Sequence, residues 1–209
     1  EFVTLLCTPT NLKELAIGFL VAEKIITELE EIKDVLIDMD KGLIWVELFK
    51  YKKIAKASFG KRYLTSGCGK GTVFYHLNDT INAKPLPIKN KVAIETIFTF
   101  SEVISKREIK KTLKLGGIHK ALFVHNGKAY TSMSDVGRHN AVDKVLGKLF
   151  LDGKKMTDGT IFTTGRISSE ILSKSYTMGV STIVSLSSPT SLSLKMAEEL
   201  NITLVGYAK

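Results

Sequence analysis

Cysteine is scarce in this chain: Cys7 and Cys68 are the only two in 209 residues. Two are too few for a disulfide framework, so the expected setting is reducing and cytoplasmic. No apolar run reaches the ~18–20 residues that a membrane-spanning helix needs, and no secretory signal opens the chain. The missing initial Met is read as a native start that lies further upstream. Aromatic residues make up 8% of the chain and do not alternate with Lys and Arg, which disfavours a base-stacking platform for nucleic acid. There is no repeat and no low-complexity tract. Also lacking is a cluster of three or four Cys and His ligands, and Cys68 has no CxxC partner, so no metal site is expected.

What remains is a globular composition, 44% apolar and 24% charged, long enough for one domain or two small lobes with a sizeable core. The formal charge of +9 points to anionic partners: a phosphorylated cofactor, an acidic protein surface or, on charge alone only weakly, nucleic acid.

The apolar run 2–7 predicts a strand broken by Thr8-Pro9-Thr10. Asn11 is placed as a helix cap with Glu14 reaching back, and Leu15, Phe19, Ala22 and Ile26 recur at helical spacing. Strands are expected over 35–39 and 43–49 around the turn Asp40-Lys41-Gly42. A change of character near Pro85-Leu86-Pro87 suggests a boundary, giving an amino-terminal α+β lobe over 1–88 and a second domain over 89–209. In the second part a polar helix over 101–115 ends at Gly116-Gly117. Strands over 120–125 and 129–132 are joined by Asn126-Gly127, a strong hairpin signal. A helix follows with Ala141, Val142, Val145, Leu146, Leu149 and Phe150 on its apolar positions. Strands over 160–163, 181–186 and 202–205 then alternate with helices over 168–178 and 190–200, with Gly179 and Asn201 as C-caps and Ser188-Pro189 as N-cap and first helical residue. Alternating strands and helices predict a parallel sheet covered on both faces, a three-layer α/β/α domain.

Three kinds of stretch carry chemistry. The loop T-S-G-C-G-K-G-T (65–72) is not a phosphate-binding loop, because Leu64 stands where the first glycine belongs and Gly71 where Ser or Thr belongs. It holds a lone thiol between glycines, with Lys61, Arg62 and Lys70 placed to favour the thiolate; the alternative is an inert loop cysteine. S-D-V-G-R-H-N-A-V-D (134–143) begins a helix with Asp135 as N-cap, and His139 and Asp143 one turn apart allow a carboxylate to orient an imidazole beside Arg138. The alternative there is a capped helix with a surface pair. T-T-G-R-I-S-S-E (163–170) and S-L-S-S-P-T-S (185–191) are strand-to-helix turns. They put hydroxyls and free backbone N–H groups, with Arg166 and Ser188, on the ligand-binding edge of the sheet. Simple capping would explain either turn alone; together they suggest an anion or nucleotide pocket.

The element order resembles the cytidine-deaminase-like fold, although D-V-G-R-H and T-T-G-R-I-S stand where that fold's zinc ligands belong. The motifs C-T-P-T-N-L-K-E-L-A-I-G-F-L (7–20), T-S-G-C-G (65–69), G-G-I-H (116–119), D-V-G-R-H-N-A-V-D-K (135–144), G-R-I-S-S-E (165–170), P-T-S-L (189–192) and I-T-L-V-G-Y-A-K (202–209) resemble the FdhD family of formate dehydrogenase accessory sulfurtransferases. The resemblance implies a persulfide relay. Cys68 takes sulfur from a cysteine desulfurase and passes it to Mo-bis(molybdopterin guanine dinucleotide), the cofactor of formate dehydrogenase. It places Tyr207, Ala208 and Lys209 in a carboxyl-terminal segment that binds that cofactor, and implies a homodimer. Many members read C-G-x-C-G, and Gly71 replaces the second cysteine here, so an intramolecular disulfide at this loop is excluded. Asp135, Arg138, His139, Arg166 and Ser188 are assigned to guanine-nucleotide binding from their position in the fold. The rival readings are a non-covalent guanine-nucleotide or RNA-binding module with Cys68 incidental, and a metal-dependent deaminase.

Overall fold

The computed structural model describes residues 2–50, 84–87, 91–105, 117–154, 156–157 and 159–209. The expectations for 51–83, Cys68 among them, and for 106–116 lie outside those residues.

Two sheets form. A hairpin pairs β1 (Ile32–Asp38) with β2 (Leu43–Leu48), close to the strands expected from alternation. The main sheet contains β3 (His119–His125), β4 (Lys128–Asp135), β5 (Gly159–Thr163), β6 (Thr182–Ser185) and β7 (Thr203–Val205) in the order β4-β3-β5-β6-β7. It is mixed, not wholly parallel: β3 runs antiparallel to both β4 and β5, while β5, β6 and β7 are parallel. The reason is local. Asn126 (φ 49°) and Gly127 (φ 69°) both take the left-handed backbone that a two-residue primed hairpin demands, so β4 folds straight back on β3.

Two-residue alternation distributes the strand side chains to two cores. Ala121, Phe123, Ile161 and Ile183 face a cluster with α3 (Arg138–Leu151), α4 (Ser169–Thr177) and α5 (Ser191–Leu200), where Val145, Leu149, Ile171 and Leu200 are buried. Leu122, Val124, Phe162 and Val184 face the other cluster, closed by α2 (Ile94–Ser105) through Ile104 and Phe100 and by Ala208. Helices on both faces give the expected three-layer α/β/α arrangement.

Helix α1 (Leu12–Ala22) lies on the outer side of α3. Their backbones meet at Gly18 and Gly147, where an added methyl carbon would overlap the carbonyl oxygens of Asp143 and Glu14 respectively. Ile17, Val21, Ile25 and Ile26 then pack beneath the β1–β2 hairpin against Val35, Val46 and Leu48.

Several expected element ends are corrected. Residues 2–7 form no strand; side chains hold this segment, with Asn140 Nδ2 donating to the Leu6 carbonyl (2.8 Å) and Lys144 Nζ to that of Thr8 (3.0 Å). Asn11 does not cap α1 through its side chain, because its backbone is left-handed (φ 51°) where a capping residue is extended. The helix expected over 101–115 starts earlier, at Ile94. Thr190, not Ser188, caps α5, in a reciprocal box with Ser193; Pro189 is instead bridged to Ile167 in parallel.

Candidate functional site

Strands β4, β5, β6 and β7 point the same way, so their carboxyl ends share one edge with the first residue of β3, His119. The turns that leave this edge are bonded to one another. Ser185 Oγ donates to the Gly165 carbonyl (2.7 Å), and the Ile167 N–H donates to that of Ser188 (3.2 Å). The Tyr207 and Ala208 N–H groups donate to the carbonyls of Ser187 and Ser185. Gly165 sits against Arg138, whose Cβ would be 2.6 Å from a methyl carbon added there. Arg138, His139, Arg166, Ser188 and 207–209 therefore lie on adjoining turns along this edge, where the amino ends of α3, α4 and α5 also fall.

Asp135 is fully buried at the end of β4 and does not cap α3; Gly137 holds that position. Its Oδ1 accepts from the Gly137 N–H (2.8 Å) and Asn140 Nδ2 (3.0 Å), and its Oδ2 from the Thr8 N–H (3.1 Å) and Lys144 Nζ (2.7 Å). Lys144 is equally buried and also donates to the carbonyls of Thr8 and Ser134. These bonds clamp the 6–8 segment onto β4 and α3. The half-buried Cys7 thiol is pushed up by burial and the Asp135 charge, against the opposing pull of Lys144.

The expected His139–Asp143 pair does not form. Asp143 turns to Lys174 on α4, whose Nζ reaches both carboxylate oxygens at 2.8 and 2.6 Å, and this pair is buried beneath the Phe19 ring (Nζ to centroid 5.4 Å). His139 Nε2 instead lies 3.1 Å from Ser168 Oγ and 3.4 Å from Glu170 Oε2. Burial pulls His139 down to about 4 in spite of Glu170, aided by Lys174, Arg138 and His119, so it is neutral at physiological pH. Burial likewise pushes Asp143 up to about 6 against the attraction of Lys174. For Lys174 burial acts downward, but Asp143 and Glu170 outweigh it and hold the ammonium above its ordinary value.

These two shifts oppose each other. His139 titrates lower folded than unfolded, so its contribution is complete above about pH 6.5 and is lost as pH falls toward 4. Asp143 titrates higher folded than unfolded, so its contribution grows as pH falls from 6 toward 3.8. His139→Gln removes only the first. Between pH 6.5 and 4.5 this variant is expected to gain about 2–3 kcal/mol relative to wild type, measured as the pH dependence of urea unfolding. Parallel profiles for the two proteins would contradict the burial assigned to His139.

Arg138 Nε is buried with no hydrogen-bond partner among the described residues, and Arg166, which follows the Gly165 that packs on Arg138, is exposed. Tyr207 is 70% exposed on a left-handed backbone (φ 54°), Ala208 is buried against the sheet, and Lys209 is exposed. His119 is the site residue that sequence reasoning missed. It pairs in register with Asp135, and burial together with the Arg138 charge lowers it, with Asp135 opposing. G-G-I-H at the head of β3 was the available signal. Among the described residues no group of three His, Cys, Asp or Glu side chains is placed to hold a metal, and no helix is long and apolar enough to cross a membrane.

A family model described as the FdhD/NarQ family matches residues 1–209. A sulfur carrier protein FdhD from Bacillus pumilus is 40% identical over 209 residues, which span all of this chain and 79% of that relative. Its namesake from Bacillus subtilis is 39% identical over 210 residues, again with all of this chain and 79% of the relative. The crystal structure of a provisionally assigned formate dehydrogenase accessory protein from Desulfotalea psychrophila is similar at a TM-score of 0.70 and 28% identity, over 97% of this chain and 75% of that one. The chain belongs to the FdhD/NarQ family.

Proposed function

We propose that this protein is a sulfurtransferase that carries persulfide sulfur on Cys68 from a cysteine desulfurase to the molybdenum cofactor needed by formate dehydrogenase. The full-length family match, with relatives named as sulfur carriers, carries this reading. In the loading step the Cys68 thiolate attacks the outer sulfur of the donor's persulfide. The donor's S–S bond breaks, the donor cysteine leaves as a thiolate, and a new S–S bond joins that sulfur to Cys68. Gly67 and Gly69 flank the thiol, which suits a group that must meet two different partners. A single cysteine suffices, so Gly71 does not prevent the relay.

The client, bis-molybdopterin guanine dinucleotide, is a substrate with two pyrophosphates and two guanines. The strand-edge surface fits one such end. The α3, α4 and α5 amino ends and Arg138, Arg166 and Lys209 suit pyrophosphate. The exposed Tyr207 ring suits the base. Ser188 and the neutral His139 supply uncharged polar groups, while Asp135 and Ala208 fix the scaffold beneath them. A homodimer pairs two of these surfaces with the two guanine ends, in a cytoplasmic, reducing setting that keeps the thiol free.

Incubation with a cysteine desulfurase and cysteine is expected to add the mass of one sulfur atom to the intact protein. Cys68→Ala should abolish the adduct while Cys7→Ala retains it. An adduct that survives Cys68→Ala, or none on wild type, sinks the relay.

A further inference from the structure

The β1–β2 hairpin turns one face to α1 and the other outward. Val35, Val46 and Leu48 pack inward on the α1 cluster. The pleat sends Leu36, Leu43 and Trp45 to the opposite side, with Leu36 and Trp45 directly opposed across the two strands. These three side chains are 56%, 43% and 48% exposed. An alternating strand pair ordinarily keeps its outer face polar, and here the centre of that face is aromatic and aliphatic instead. A flat ledge of this kind suits a protein surface better than a small molecule, which favours a concave site.

The rim of the ledge specifies the partner's charge. The hairpin itself, residues 32–48, holds four carboxylates (Asp34, Asp38, Asp40 and Glu47) against two lysines (Lys33 and Lys41), in a chain whose formal charge is +9. Both lysines are already held by carboxylates of the same lobe, Lys33 by Glu47 at 2.7 Å and Lys41 by Asp38 at 3.2 Å. A second copy of this chain presenting the same ledge would set acid against acid, which disfavours a symmetric contact through this face. The complementary occupant is a different protein, apolar at its centre and rich in Lys and Arg around it.

We infer that the outer face of the β1–β2 hairpin, centred on Leu36 and Trp45, is the docking surface for the protein that donates sulfur to this chain. The inference rests on the proposed relay, which requires such a protein: a persulfide held on one protein passes to another thiol only while the two are in contact. The strand-edge surface, with its helix ends and arginines, is matched to a small anion and leaves protein docking to another face. In sequence, Cys68 follows the end of β2 by 20 residues. Tryptophan at the centre of a charged rim is the usual composition of an energetic anchor in a protein interface.

The test measures binding and sulfur transfer separately. Binding of a cysteine desulfurase to the full chain is followed by biolayer interferometry, and loading by intact mass. Leu36→Ser/Trp45→Ser is expected to raise the dissociation constant about tenfold or more. The rate at saturating donor and the alkylation of Cys68 by iodoacetamide should stay as in wild type. Asp34→Lys/Asp40→Lys, which leaves the hairpin's inner packing alone, should weaken binding and flatten its salt dependence. Wild-type affinity in both double variants overturns the inference, as does wild-type protein that does not bind the donor. Donor that binds through the hairpin but leaves no sulfur on Cys68 would instead overturn the relay and leave the docking surface standing.

Discussion

Gly147→Ala is expected to lower the unfolding free energy by about 3 kcal/mol, although alanine is the better helix former by about 1 kcal/mol. The new methyl carbon would overlap the Glu14 carbonyl oxygen, which is backbone and has no rotamer by which to move aside. Helix α1 would have to lift from α3 and take the cluster of Ile17, Val21 and Ile26 with it. The β1–β2 hairpin rests on that cluster, so displacement should reach Trp45, the single tryptophan of the chain. Urea unfolding monitored by tryptophan fluorescence gives the midpoint shift. Lys148→Ala, one residue on, removes only a solvent-screened surface ion pair with Asp152 and should leave the midpoint close to that of wild type. Equal midpoints for Gly147→Ala and wild type would mean that the two helix backbones do not meet here.

Much of the three-layer architecture was legible because its signals are local. Asn126-Gly127 needs only two residues in left-handed backbone to reverse a strand, and short apolar runs such as 160–163 read as buried strands whatever surrounds them. The grouping of the turns 163–170 and 185–191 followed from the same logic, since strand-to-helix turns in such a sheet share an edge. The misreadings that bear on the site involve partners distant in sequence. The apolar run 2–7 looks like a strand, but Asn140, Asp135 and Lys144 satisfy the backbone of its end from more than 120 residues away. Asp135 looks like a cap, but its carboxylate is occupied by Lys144 and by the Thr8 and Gly137 N–H groups. His139 and Asp143 have the spacing of a pair on one helix face, yet spacing sets only proximity. Lys174, 31 residues on, brings a full charge to Asp143, and a carboxylate in a dry interior prefers an ammonium to an imidazole that burial keeps neutral. His119 was passed over for the converse reason: G-G-I-H marks the head of β3, but the register that sets His119 opposite Asp135 comes from the hairpin and not from spacing within that motif.

The Asp143–Lys174 pair yields the other large effect. Lys174→Met is expected to destabilise the protein by about 3–5 kcal/mol at pH 8, because it leaves a fully buried carboxylate without its cation. The deficit should shrink on acidification. Asp143 already titrates above its ordinary value in the folded protein, and losing Lys174 drives it further up, so the folded variant takes up a proton that the unfolded chain does not hold until near pH 4. Stability present at low pH is then lost as pH rises through the folded value, the reverse of the profile expected from His139 alone. A variant whose deficit is the same at pH 5 and pH 8 would show that Asp143 is not the group left unpaired. Asp143→Leu/Lys174→Met supplies the decisive comparison. Both desolvated charges are gone and the site between α1, α3 and α4 is filled with hydrocarbon, so the double variant should return to wild-type stability or exceed it. If it stays as unstable as Lys174→Met, the pair contributes net stability through bonds that packing cannot replace, and its attraction exceeds the desolvation of both partners.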